Sequence, residues 1–155
     1  MKKIKTNIIF YLVFVLFLAS SLSIISVKGS EKTYMLPQIV NVVDGDTINI
    51  ILSPLTPYPP LSAAKVRIRG IDTPESTWRA KCIKEKELGL KAKAFLENLI
   101  GDSTRLKITD YEWDKYGGRI VSNASVRGID IGQELIHNGY AKEYSGKGNK
   151  PNWCE

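Results

Sequence analysis

The chain has 155 residues, 43% of them hydrophobic and 25% charged, which fits one folded domain and excludes a disordered, solvating segment. Its formal charge of +6 is concentrated: residues 1–29 hold four lysines and no acid, so residues 30–155 carry 18 basic against 16 acidic side chains, and a strongly cationic nucleic-acid coat is excluded. One histidine and two cysteines exclude a site built from several such ligands, such as a zinc finger.

Met1–Asn7 is short and lysine-rich, Ile8–Leu18 is uninterrupted apolar sequence, and small residues follow at Ala19, Ser20, Ser21 and Ser23. That order predicts a secretory signal over residues 1–29 and an exported domain over residues 30–155. An uncleaved membrane anchor is the alternative, because Ile8–Val27 is just long enough to span a bilayer. Either way the folded part faces an oxidising compartment, where calcium is abundant.

Ile39–Val43 and Thr47–Leu52 are β-branched runs on either side of Asp44-Gly45-Asp46, a strong hairpin signal. Ser53–Ala64 contains four prolines and reads as an irregular loop. Lys65–Ile71 predicts a third strand, stopped by Asp72-Thr73-Pro74-Glu75. Arg79–Ile100 predicts a helix whose apolar stripe is Leu88, Ala92, Phe95, Leu96, Leu99 and Ile100, with Gly101 as its stop. Arg105–Asp110 and Arg119–Val126 read as two more strands. Asp130-x-x-Gln133 opens a short helix ending at Asn138. Ser145–Asn152 reads as loose chain, Trp78 and Trp153 as packing residues, and His137 as a side chain without a catalytic role. The order β-β-β-α-β-β-α predicts an α+β domain built on a five-stranded OB-type β-barrel with flanking helices.

Three stretches carry chemistry. Asp44-Gly45-Asp46-Thr47 is either a solvated hairpin turn or a carboxylate fixed at a strand start, able to bind a hard cation. Arg67 to Glu75 is either a helix-start signal around Thr73 and Pro74 or an assembly of one fixed positive charge, one metal-binding acid and one base. Phosphodiester hydrolysis needs those three parts. Asp114-Lys115-Tyr116-Gly117-Gly118-Arg119 is either a glycine turn or a turn that offers cations to phosphate and aromatic faces to bases.

Taken together, these stretches and the later Asn138-Gly139-Tyr140-Ala141-Lys142 resemble the staphylococcal-type thermonuclease family over about Ile39 to Tyr144. The resemblance implies an OB barrel and a calcium-dependent phosphodiesterase that cuts DNA and RNA and leaves 3′-phosphates. It implies that Asp46 and Asp72 are calcium carboxylates, with the Thr73 carbonyl a further ligand and Asp44 a nearby acid that is not one. It implies that Glu75 activates water, that Arg67 and Arg119 bind phosphate, and that Lys115, Tyr116 and Tyr144 line the nucleotide site. Gly118 is an addition to the family's Tyr-Gly-Arg, Tyr144 stands one position early, and a short tail replaces a long C-terminal helix. Cys82 and Cys154 are the only cysteines, so they are expected to pair as a tether for that tail, with two free thiols as the alternative. A monomer without a stable protein partner is expected. The competing functional reading is an OB module that binds nucleic acid without cutting it.

Overall fold

The computed structural model describes residues 34–52, 63–114 and 117–155. The expected leader, most of the proline loop, and the candidates Lys115 and Tyr116 lie outside the described residues. In chain order the elements are β1 (Tyr34–Met35), β2 (Gln38–Asp44), β3 (Thr47–Ile51), β4 (Ala63–Ile68), β5 (Ile71–Asp72), α1 (Ile83–Ile100), β6 (Lys107–Trp113), β7 (Arg119–Val126), β8 (Ile129–Asp130), α2 (Ile131–His137) and β9 (Lys142–Glu143). Among the described residues no helix is long and apolar enough to cross a membrane.

The strands β2, β3 and β4 form an antiparallel meander. The strand β4 then pairs in parallel with β7, and β6 runs antiparallel to β7, giving the order β1-β6-β7-β4-β3-β2 with β8 attached to β7. The β2 side returns to the chain ahead of β6. There the Ile39 amide donates to the Thr104 carbonyl at 2.9 Å, and the Leu106 amide donates to the Pro37 carbonyl at 3.1 Å. The result is an α+β domain on a curled mixed sheet. Its core follows the period-2 pattern of the strands: Ile48 and Ile50, Val66 and Ile68, and Ile120, Ala124 and Val126 all point inward. Ala92, Leu96 and Ile100 of α1 close over them.

Besides β6, which runs Lys107–Trp113 where the sequence predicts Arg105–Asp110, two elements depart from the sequence expectation. The third strand is split: Gly70 at φ +80° ends β4, and Ile71–Asp72 leaves the main sheet to pair with β9, Asp72 opposite Lys142. The long helix begins at Ile83, four residues later than expected. Residues 77–80 form a separate turn, in which the Ala80 amide donates to the Thr77 carbonyl at 3.2 Å. Trp78 is 87% exposed there, so it is not a packing residue and gives α1 nothing to bury one turn earlier. The start is instead set by Cys82, whose Sγ accepts from the Glu85 amide, while Glu85 Oε2 accepts from the Lys81 amide at 2.7 Å. This is a variant of the reciprocal capping box.

Cys82 is bonded to Cys154, with the two Cα atoms 6.1 Å apart across 72 residues of sequence. The tail is correspondingly well anchored. Trp153 is buried, with the Lys142 ammonium 4.4 Å from its ring centre, and the same ammonium donates to the Asn152 carbonyl at 3.0 Å.

Candidate active site

Asp46 sits at the end of the hairpin turn, where its amide donates to Asp44 Oδ1 at 3.2 Å and closes an Asx-type turn. Gly45 is required by close approach. A Cβ there would lie 2.8 Å from the Ala92 Cβ and 2.9 Å from Thr73, so only glycine lets the turn rest on α1 and on the β5 exit. Thr73 fixes the Asp46 carboxylate from the other side, donating to Oδ2 from its amide at 3.2 Å and its hydroxyl at 3.0 Å. The Thr47 hydroxyl donates to Oδ1 at 2.9 Å.

Arg67 lies on β4 between Thr47 of β3 and Val121 of β7. Its guanidinium is ion-paired with Asp46 Oδ2 through one Nη, while the other Nη is 3.4 Å from Asp72 Oδ1 and donates to the Ile71 carbonyl at 3.1 Å. Asp46 and Asp72 are only 3% and 2% exposed. Carboxylates so deeply buried are tolerable only when hydrogen-bonded and compensated by positive charge. Burial pulls the Arg67 guanidinium below its ordinary value, Asp72 and Asp44 oppose that pull, and the Arg119 charge adds to it. A guanidinium stays protonated through such a shift.

Asp72 receives two further partners from the tail. The Trp153 indole donates to Oδ2 at 3.2 Å, and the Lys150 ammonium lies 3.0 Å from Oδ1. Lys150 also reaches Glu75 Oε1 at 3.4 Å. Glu75 follows Pro74, and its backbone is pressed onto α1: a Cβ at Gly89 would lie 2.6 Å from the Glu75 carbonyl atoms and 2.7 Å from the Pro74 oxygen.

Arg119 shares a sheet face with Arg67, because Lys65 and Arg119 are parallel partners and Arg67 is two residues on from Lys65. Gly117 and Gly118 take φ of +74° and +70° in the turn, and the register irregularity lies instead in β6, between Thr109 and Glu112. The Arg119 Nε donates to Asp114 Oδ2 at 2.7 Å. Tyr144 is placed differently. Its hydroxyl donates to the Gly148 carbonyl at 3.2 Å, and its ring lines a cleft with Ile68, Gly70 and Gln133 that includes neither Asp46, Asp72 nor Glu75.

The structure thus brings together Asp46, Arg67, Asp72, Thr73 and Glu75, with Arg119 on the same face of the sheet. Lys150 and Trp153 join the cluster without any motif in the sequence to announce them. Gly89 had one signal: a glycine inside a helix costs about 1 kcal/mol relative to alanine, which calls for a packing reason. Among the described residues no three His, Cys, Asp or Glu side chains gather around one point. The available donors are two buried carboxylates, oxygen ligands that suit a hard cation completing its shell with water or substrate oxygens. In this structure their charge is balanced by the Arg67 guanidinium and the Lys150 ammonium.

The profile of the family described as staphylococcal nuclease homologue matches residues 65–152, more than half of the chain. The chain belongs to that family. It is also 31% identical over 108 residues to Endonuclease YhcR of Bacillus subtilis (strain 168), a match covering 66% of this chain and 8% of that much longer protein.

The contact at Gly89 yields a prediction of sign. Helix propensity alone would make Gly89→Ala stabilising by up to about 1 kcal/mol. The new Cβ meets backbone that cannot rotate away, so the substitution should instead destabilise by about 1–3 kcal/mol, as overpacking does. Urea unfolding measures it, and a more stable variant would show that α1 does not press on Glu75.

Proposed function

We propose that this chain is a calcium-dependent endonuclease that hydrolyses phosphodiester bonds of DNA and RNA and leaves 3′-phosphates. The observation that carries the reading is the burial of Asp46 and Asp72 on either side of Arg67, with Glu75 on the proline-fixed exit three residues beyond Asp72. Membership of the nuclease family and the likeness to an endonuclease support it. Asp46, Asp72 and the Thr73 carbonyl would hold the calcium ion. When bound, the ion supplies positive charge to the phosphoryl oxygens.

The chain's own residues do the rest. Arg67, fixed between two strands, presents a guanidinium to the phosphate from the floor of the site. Arg119 is oriented through its Nε by Asp114, and its Nη fork is taken as the phosphate donor. Glu75 orients and deprotonates the attacking water. Its contact with Lys150 is a half-exposed pair, weak enough to yield when substrate arrives. Lys115 and Tyr116, which precede Arg119 in the sequence by four and three residues, are taken as nucleotide-lining residues. Tyr144 has no role in this scheme.

The test is an assay of the mature protein on DNA and on RNA, with calcium or with a chelator. Cleavage of both with calcium and none in excess chelator is expected; full activity in chelator would refute the metal's role, and binding without cleavage would favour the non-catalytic module. Glu75→Gln should cut turnover by roughly 100-fold or more while leaving calcium binding nearly intact. Arg119→Ala should lower turnover by roughly 100-fold, the scale of one lost charge-stabilising donor.

We further propose that the enzyme works outside the cytoplasm. The leader-like residues 1–29 and the Cys82–Cys154 disulfide support that placement. N-terminal sequencing of extracellular protein should find a start between Leu22 and Ser30, and a start within residues 2–10 would contradict cleavage.

A further inference from the structure

Tryptophan has one polar hydrogen, and a buried indole needs an acceptor for it. Trp153 spends that hydrogen on Asp72 Oδ2, a carboxylate 81 residues away in sequence and itself 2% exposed. The indole is fixed on three sides. Trp153 is 7% exposed, Lys142 lies over its ring and hydrogen-bonds the preceding Asn152 carbonyl, and the following residue is bonded to Cys82 at the start of α1. Lys142 is also the strand partner of Asp72 in the β5–β9 pair. The tail is therefore tied to Asp72 from both directions along the chain.

The two oxygens of Asp72 are left inequivalent. Oδ2 is taken by the indole, whereas Oδ1 faces Arg67 at 3.4 Å and Lys150 at 3.0 Å. Oδ1 is the oxygen turned toward positive charge. A neutral donor on one oxygen fixes the rotation of the carboxylate without cancelling its charge, which is what a carboxylate ligand requires of its outer partner.

We propose that Trp153 is a positioning residue for Asp72, orienting its carboxylate so that Oδ1 serves as the cation ligand, and that the Cys82–Cys154 disulfide holds the indole in that place. The proposal rests on the calcium reading above. It makes the disulfide part of the site's construction as well as a brace for the tail, and it gives the short C-terminal segment a role at the centre of the molecule.

The experiment is calorimetric titration of calcium alone into the purified exported protein, in the oxidised and reduced states, for wild type and Trp153→Phe. Phenylalanine keeps the ring packing and removes the donor. Trp153→Phe should weaken calcium binding by about 10-fold or more, in the range for lost outer-shell partners. Reducing the wild-type disulfide should weaken it similarly, as should Cys154→Ser, which removes the same bond. Reducing Trp153→Phe should add less than about threefold, because both changes remove the same hydrogen bond and effects through one contact do not add. A merely structural tail would give effects that multiply. Wild-type affinity in Trp153→Phe, or full multiplication with reduction, would overturn the proposal while leaving the calcium reading in place. Absence of calcium binding by the wild type would overturn both.

Discussion

Two carboxylates buried within reach of one guanidinium are the constraint around which the domain is arranged. An ionised acid taken out of water costs several kcal/mol unless charge and hydrogen bonds replace its hydration. Asp46 receives donors from Thr47 and Thr73, Asp72 receives one from Trp153, and Arg67 faces both acids. These partners come from the β2–β3 hairpin, β4, the β5 exit and the C-terminal tail, so the acids can be satisfied only when those segments are all in place. The main sheet supplies the rigid member: Arg67 is held between Thr47 and Val121 by backbone pairing on both sides.

Close backbone approach does the remaining positioning. Gly45 lets the hairpin turn lie against Thr73 and Ala92, and Gly89 lets the Pro74–Glu75 segment lie on α1. The helix therefore acts as a flat surface against which both acid-bearing loops are pressed. Its first turn is also where the disulfide begins, so α1 links the hairpin, the Glu75 segment and the tail.

Much of this was legible from residue pattern. The hairpin around Asp44-Gly45-Asp46, the strand Arg119–Val126 and the helix capped by Asp130 follow from local signals, and they form where those signals lie. The split after β4 was not legible, because Lys65–Ile71 reads as one continuous strand across Gly70. Only the pairing of Ile71–Asp72 with Lys142–Glu143 shows that the chain has entered a second sheet. The expected start of α1 at Arg79 and the packing role expected of Trp78 both fail, because residues 77–80 form their own turn and Trp78 stands in solvent. The motif residues around the acids were readable because they cluster in two short stretches. Lys150 and Trp153 were not: the Cys82–Cys154 tether could be expected, but no local pattern shows that the tail it holds lies on Asp72.

The central claim is that the buried carboxylates of Asp46 and Asp72 need positive charge, which Arg67 supplies and which the proposed calcium ion would also supply. Its most direct test is the unfolding free energy of Arg67→Met, measured against wild type in chelator and in saturating calcium. Removing one member of a buried charge cluster should cost about 3–5 kcal/mol in chelator. Calcium, by binding the folded state, should then restore more stability to the variant than it adds to the wild type. A variant as stable as wild type in chelator, or a loss that calcium leaves unchanged, would contradict the account.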